Sequence, residues 1–158
     1  MTDITETALP EIKIITPRRV GDARGWFIES WNRKTLLAAG LNLPEFVQDN
    51  HSMSAQVKLV RCARGAFLDV AVDARRGSPR YGQWVTVELT EENLCQVWVP
   101  PGFLHGFVTL LPDTEISYKC TDYYAPECDG AVLWNSLSID WGVAAPTLSE
   151  KDAAATPF

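Results

Sequence analysis

Tyr118 is an ionisable residue that the sequence pattern places in the interior of the fold. It lies in the predicted strand Glu115–Thr121, where alternate side chains point to opposite faces. Tyr118 shares its face with Ile116 and Cys120, whereas the other face is charged or polar. The apolar face should be the buried one, so we predict that the tyrosine side chain points inward.

A second predicted strand, Phe46–Ser52, sends residues of mixed chemistry to one face. Phe46, Gln48, Asn50 and Ser52 share that face. One interpretation is a pocket that is partly apolar and partly hydrogen-bonding. The other is a solvent-facing surface with one exposed phenylalanine, and the alternation alone does not choose between them.

The chain has two histidines, His51 and His105. His105 lies among apolar residues in Pro100–Phe107, where a single histidine is usually a hydrogen-bonded core residue rather than a ligand. A histidine metal site needs two or three such residues with a carboxylate close in the sequence. Because His105 has no second histidine near it, we predict that no metal is bound.

The charged residues that could belong to a functional site can also be explained by a structural role alone. Arg24 and Glu29 flank the start of a strand and fit a surface salt bridge. Lys151 and Asp152 fit a capped, solvent-exposed final helix. The sequence contains no glycine-rich phosphate loop, nucleophile elbow or His-Glu-x-x-His motif.

Many short strands, punctuated by glycine and proline, must position these residues. Further strands are predicted at Ile12–Thr16, Trp26–Ser30, Phe67–Asp73, Gln83–Leu89, Gln96–Val99 and Gly106–Thr109. Only Asn32–Ala39, stopped by Gly40, and Ser149–Ala155 have the pattern of helices. The pattern predicts a mainly β protein, a sandwich or barrel, rather than a doubly wound α/β fold.

Length and composition suit one compact domain. The chain has 158 residues, of which 46% are hydrophobic, and a formal net charge of −6. An acidic chain is poorly suited to nucleic-acid phosphates, so we expect no nucleic-acid partner. With no long apolar stretch and no signal peptide, we expect a cytoplasmic protein without membrane contact. Its four cysteines, none spaced Cys-x-x-Cys, should then be free thiols.

Nine segments resemble the dTDP-4-dehydrorhamnose 3,5-epimerase family, in order and over nearly the whole chain. They are Gly21–Glu29, Phe46–Ser52, Lys58–Cys62, Asp69–Asp73, Arg75–Pro79, Pro100–Phe107, Tyr118–Tyr124, Ile139–Trp141 and Leu148–Asp152. Such an ordered set is far more specific than any single motif. The resemblance implies a cupin-like antiparallel jelly-roll barrel with one or two short helices, a homodimer, and no metal or organic cofactor.

The resemblance also implies a reaction on a dTDP-4-keto-6-deoxyhexose in dTDP-L-rhamnose biosynthesis. The ketone at C4 acidifies the C–H bonds at C3 and C5. A base removes a proton to form an enolate, and an acid returns a proton to the opposite face. By resemblance, Tyr118 is the proton donor and Asp152 is the carboxylate that orients the catalytic histidine. Substrate-binding positions implied in the same way are Arg24, Glu29, Gln48, Asp49, Asn50, Lys58, His105, Tyr124, Asp129 and Lys151.

One segment of the family pattern is absent. After Asn-His-Ser the family has a strand of the type Leu-Arg-Gly-Leu-His-Tyr, whose histidine is the catalytic base and whose arginine binds the diphosphate. Here Ser52 is followed by five residues and then by Lys58. We therefore expect sugar-nucleotide binding to survive better than turnover. Three hypotheses remain: a 3,5-epimerase, an impaired homologue that binds dTDP-sugar or serves as a dimerisation partner, and a related ketoisomerase or single-site epimerase.

Overall fold

Short strands make up most of the regular structure. The computed structural model describes residues 2–52, 59–121 and 130–158, with the backbone alone at 51 and 52. The strands are β1 (Asp3–Glu6), β2 (Lys13–Thr16), β3 (Arg19–Asp22), β4 (Gly25–Ile28), β5 (Gln48–Ser52), β6 (Leu59–Arg64), β7 (Ala66–Asp73), β8 (Trp84–Thr90), β9 (Gln96–Trp98), β10 (Phe103–Thr109) and β11 (Glu115–Cys120). The helices are α1 (Arg33–Ala38) and α2 (Glu150–Ala153). The prediction of a mainly β fold with short helices is confirmed.

Antiparallel pairing joins most strands into two sheets. Six strands lie in the order β1-β2-β9-β6-β11-β5, three lie in the order β10-β7-β8, and β3 and β4 form a separate hairpin. In the larger sheet, Tyr118 lies opposite Asn50 of β5 and Val60 of β6. In the smaller sheet, His105 lies opposite Ala71. These registers set which candidate side chains are neighbours.

Side chains from both sheets meet in a common hydrophobic core. Its buried residues are Leu9, Ile12, Val60, Cys62, Phe67, Ala71, Val85, Leu89, Val97, Val99, Ile116 and Tyr118. Phe67 and Leu89 of the smaller sheet are fully buried, as are Val60 and Val97 of the larger one. Burial of each large apolar side chain contributes about 1.5–3 kcal/mol. The core therefore holds the two sheets face to face.

The larger sheet is buried on its other face as well. A second cluster contains Ile15, Leu36, Leu41, Leu43, Leu59 and Trp98. Helix α1 supplies Leu36 to it and is capped by Asn32, whose side-chain oxygen accepts a hydrogen bond from the Thr35 backbone at 3.1 Å. Gly40 follows the helix with a φ of +88°, a left-handed conformation that stops it as predicted.

Phe46 does not share a face of the sheet with Gln48, although the alternation over Phe46–Ser52 predicts that it does. The strand begins at Gln48, so its alternation does not extend back to Phe46. Phe46 packs with the second cluster, and its ring centroid lies 4.6 Å from that of Trp31 and 6.1 Å from that of Trp98, edge-on in both cases. The aromatic contacts explain the difference, because they draw the phenylalanine to the opposite face of the sheet.

An ion-pair network around the buried Asp73 joins the end of β7 to the start of β10. Asp73 is fully buried and accepts hydrogen bonds from Arg75 Nε and Nη2 at 2.9 and 2.7 Å and from Ser78 Oγ at 2.6 Å. Arg75 also donates to Glu11 Oε1 at 2.9 Å, and its guanidinium carbon lies 4.6 Å from the centre of the Phe103 ring. The Arg75 guanidinium holds the pKa of Asp73 well below its usual range. The network thus braces the two strands that carry Asp69 and His105.

Candidate active site

Tyr118 points into the interior between the sheets, as predicted. Its strand β11 has partners on both sides, and the whole residue is only 9% exposed. Ile116, two positions earlier, belongs to the same core, and Cys120, two positions later, packs against it. A phenol in this position can give or take a proton without competition from bulk water.

Gln48 and Asn50 lie on the same side of the larger sheet as Tyr118. Gln48 Nε2 donates to Asn50 Oδ1 at 2.7 Å, and Asn50 Nδ2 lies 3.6 Å from the sulfur of Cys120. Both amide side chains belong to half-buried residues. These two residues are therefore half-buried and hydrogen-bonded to each other rather than fully open to solvent.

Asp49 lies on the opposite face of β5 and is exposed. Its carboxylate oxygen Oδ2 accepts a hydrogen bond from Lys119 Nζ at 2.5 Å. A cavity of about 50 Å³ beside this pair is also lined by Arg61, Ser117 and Tyr118. Ligand pockets usually enclose about 300–1,000 Å³, so this cavity alone cannot take a sugar nucleotide. The structure therefore separates Asp49 from Gln48 and Asn50.

His105 is paired with a buried aspartate that the sequence did not single out. His105 Nε2 lies 2.7 Å from Asp69 Oδ2, and the two side chains are 7% and 1% exposed. His105 Nδ1 is buried and has no hydrogen-bond partner in the described part of the chain. The prediction of a fully hydrogen-bonded core histidine is therefore met at one ring nitrogen only.

Asp69 lies in one of the segments that resemble the family, but nothing in the sequence identifies its partner. It occupies β7 between the core residues Phe67 and Ala71, and Ala71 lies opposite His105 in the register. A lone carboxylate among core residues on a strand was the available signal, since a buried charge needs a partner. The identity of that partner depends on the pairing of β7 with β10, which is set by tertiary structure.

Arg24 and Glu29 lie outside the interior. Arg24 is at the turn of the β3–β4 hairpin with its side chain 90% exposed, and it forms an ion pair with Asp22 at 2.6 Å rather than with Glu29. That contact lowers the pKa of Asp22. Glu29 instead accepts hydrogen bonds from Asn32 Nδ2 at 2.9 Å and Thr35 Oγ1 at 3.4 Å, at the start of α1.

Lys151 and Asp152 lie on the exposed final helix, as the structural interpretation predicts. Ser149 Oγ donates to Asp152 Oδ2 at 2.7 Å and accepts from the Asp152 backbone at 3.1 Å, which caps α2. The Asp152 carboxylate thus contacts Ser149 at the start of the helix and does not contact Tyr118.

Three of the predicted site residues, Lys58, Tyr124 and Asp129, fall outside the described residues. Within residues 2–52, 59–121 and 130–158, no cluster of three or more His, Cys, Asp or Glu side chains is arranged to hold a metal ion. Among the helices of those same ranges, none has the length and apolar character needed to cross a membrane.

Comparison with known proteins gives consistent matches over the full length. The family model for dTDP-4-dehydrorhamnose 3,5-epimerase matches residues 6–158. The dTDP-4-dehydrorhamnose 3,5-epimerase of Salmonella typhimurium is 46% identical over 173 aligned positions, covering 98% of this chain and 94% of the relative. That alignment is longer than the chain of 158 residues, so the relative has residues where this chain has none.

Solved structures show the same likeness in three dimensions. The epimerase of Bacillus anthracis, with TDP and PPi bound, matches with a TM-score of 0.93 and 39% identity over 100% of both chains. The epimerase of Legionella pneumophila, in complex with dTDP-4-keto-L-rhamnose, matches with a TM-score of 0.92 and 42% identity, covering 99% of this chain and 93% of the other. These matches confirm the cupin-like fold class. The chain belongs to the dTDP-4-dehydrorhamnose 3,5-epimerase family of isomerases.

Proposed function

We propose that this protein is a 3,5-epimerase of dTDP-4-keto-6-deoxyhexoses that acts in cytoplasmic nucleotide-sugar biosynthesis. The observation that carries the proposal is the inward-facing Tyr118, buried beside the amides of Gln48 and Asn50 in a chain of this family. Relatives with dTDP-4-keto-L-rhamnose or TDP bound support a dTDP-sugar as the ligand. Nothing in the comparisons favours an impaired homologue over the epimerase.

The role proposed for each residue follows from the removal and return of a proton on a carbon next to the ketone. Tyr118 donates a proton to the enolate carbon, and Gln48 and Asn50 offer hydrogen bonds to the sugar or nucleotide beside it. By resemblance to the family, Lys58 is proposed as the cation that stabilises the enolate at the keto oxygen. Tyr124 and Asp129 are proposed as pocket residues on the same ground.

The role of Asp152 in this proposal is to cap helix α2. Its carboxylate accepts a hydrogen bond from Ser149 Oγ and lies on an exposed helix. The family histidine that such a carboxylate would orient has no counterpart in this sequence. Lys151, next to it on α2, is proposed as a ligand for the negatively charged diphosphate.

A homodimer would explain why the β3–β4 hairpin exposes apolar side chains and why Arg24, a substrate-binding residue by resemblance, lies on it. The β3–β4 hairpin exposes 54% of Val20, 52% of Trp26 and 69% of Phe27, which is costly for apolar side chains left in water. Arg24 lies on the same hairpin, away from Tyr118. A second copy that covers the hairpin would bury these side chains and bring its Arg24 and Glu29 to a substrate. Light scattering at micromolar concentration should give twice the mass of 17.6 kDa, and a monomer would count against the dimer.

Turnover by the wild-type protein and two tyrosine variants tests the epimerase directly. The protein is incubated with dTDP-4-keto-6-deoxyglucose, and the product is identified by NMR. Tyr118→Phe should lower the rate by about 10²- to 10⁴-fold, because the proton donor is lost. Tyr81→Phe is the matched control, since Tyr81 is 48% exposed and stacks on Phe158.

The outcome also separates the related activities. Inversion at both C3 and C5 supports the 3,5-epimerase, whereas inversion at one carbon identifies a single-site enzyme and a shifted ketone identifies a ketoisomerase. Equal rates for Tyr118→Phe and Tyr81→Phe would refute the role of Tyr118.

A further inference from the structure

We propose that His105 is the general base of this chain, oriented by Asp69 and acting on the face of the substrate opposite to Tyr118. The inference rests on the proposed function, because it supplies the proton acceptor for that reaction. The family's histidine-bearing segment is absent from the sequence, and the only other histidine is His51. Proton abstraction therefore needs an acceptor elsewhere in the interior.

The two ring nitrogens of His105 have the surroundings that a general base requires. Nε2 lies 2.7 Å from Asp69 Oδ2, and an ionised carboxylate can only accept a hydrogen bond. The neutral imidazole therefore carries its proton on Nε2, which leaves the lone pair on Nδ1. Nδ1 is buried and has no partner among the described residues, so its lone pair is not engaged there.

Asp69 has a positioning role in this arrangement. It is 1% exposed, so its carboxylate holds the ring in one orientation and one tautomer. Its negative charge also stabilises the imidazolium that forms when Nδ1 takes a proton. Nδ1 is shielded from solvent, so the sugar reaches it only by entering between the sheets.

The two sheets place His105 and Tyr118 on opposite sides of the core between them. His105 belongs to β10 of the three-stranded sheet and Tyr118 to β11 of the six-stranded sheet. Phe103 and Phe107, two positions on either side of His105, pack against the same core that contains Ile116 and Tyr118. Alternate residues of a strand share a face, so both catalytic side chains point towards the core from facing sheets. Inversion at carbon needs this arrangement, because the proton leaves one face and returns to the other.

The step balances without a further reactant. His105 Nδ1 takes the proton from C3 or C5, the C–H electrons form the C=C bond of the enolate, and the carbonyl π electrons move to the C4 oxygen. As the ketone re-forms, the Tyr118 hydroxyl delivers its proton to the same carbon from the other face. Proton exchange with water then restores the neutral imidazole and the phenol.

Deuterium incorporation into dTDP-4-keto-6-deoxyglucose in deuterated water tests the inference. His105→Gln retains a side chain that can hydrogen-bond to Asp69 but cannot act as a base near neutral pH. It should lower exchange at C3 and C5 by at least about 100-fold, while the thermal shift caused by dTDP persists. His51→Gln, the change at the other histidine, should leave exchange unchanged. Asp69→Asn should lower kcat with little change in KM, because it disturbs the base and not the binding.

Tyr118→Phe provides the complementary result. Exchange should continue from the His105 side with configuration retained, since the base remains and the opposite donor is lost. Exchange by His105→Gln at the wild-type rate would overturn the inference and leave the proposed function standing, whereas no exchange by the wild-type protein would overturn both. If the glutamine variant does not fold, His105→Asn carries the same test.

Discussion

Replacing Arg75 with alanine should destabilise the protein through the buried carboxylate that it leaves behind. Arg75 gives the fully buried Asp73 two side-chain hydrogen bonds, at 2.9 and 2.7 Å. Removing one partner of a buried ion pair costs about 3–5 kcal/mol. The Arg75 side chain is 33% exposed, and Ser78 Oγ and the backbone N–H at position 75 still bond to Asp73. We therefore expect a loss of about 2–3 kcal/mol in the free energy of unfolding.

Urea unfolding measures this loss and its pH dependence. With a slope of about 2 kcal/mol per molar, in the middle of the usual range, the midpoint should fall by about 1–1.5 M at neutral pH. Because Arg75 lowers the pKa of Asp73, the pair stabilises the fold fully above about pH 5 and loses that contribution as Asp73 protonates on acidification. The difference between the wild-type protein and Arg75→Ala should therefore begin to shrink below about pH 5, be smaller at pH 3 than at pH 7, and shrink further below pH 3.

The neighbouring arginine supplies the matched control. Arg76 is exposed, and Arg76→Ala should change the free energy of unfolding by no more than about 0.5 kcal/mol. An equal loss in both variants, or a loss in Arg75→Ala that is the same at pH 3 and pH 7, would refute the ion-pair account.

Three further changes test separate parts of the structure. Gly65→Ala should lower the free energy of unfolding by about 1–3 kcal/mol, because Gly65 has a φ of +79° and an added Cβ would lie 2.6 Å from Thr114 Oγ1. Thermal unfolding measures this loss, and an unchanged midpoint would contradict it. Asn32→Ala should lower the free energy of unfolding by about 1 kcal/mol, since it removes the cap of α1, and Asn32→Ser should recover most of that loss. If the proposed homodimer is covered at the hairpin, Phe27→Glu should shift it towards monomer in light scattering, because Phe27 is 69% exposed there. A dimer of unchanged stability would place the interface elsewhere.

Much of the fold could be predicted from alternation and turn residues. The strands β7, β8 and β11 lie within one or two residues of their predicted bounds, and α1 ends before Gly40, the predicted stop. The start of β10 was missed by three residues: it begins at Phe103, directly after the turn at Pro101 and Gly102. That error left His105 outside the predicted strand. Pairing with β7 extends β10, and such pairing is not visible in a local pattern.

The candidate site was only partly predictable for the same reason. Tyr118 was placed by strand parity alone, because an apolar face identifies the interior. Gln48 and Asn50 needed the register of β5 against β11 to bring them beside it. The pairing of His105 with Asp69 joins residues 36 positions apart, and no spacing rule relates them. Resemblance to the family named most of the other residues but could not place Arg24 and Asp152, which lie on exposed elements.

Deuterium exchange by the unaltered protein tests the central claim most directly. The protein is mixed with dTDP-4-keto-6-deoxyglucose in deuterated water, and the signals of the protons at C3 and C5 are followed by NMR. An active epimerase should replace both protons faster than buffer alone and should produce the inverted sugar. Exchange no faster than in buffer, from protein that still shows a thermal shift with dTDP, would contradict the claim.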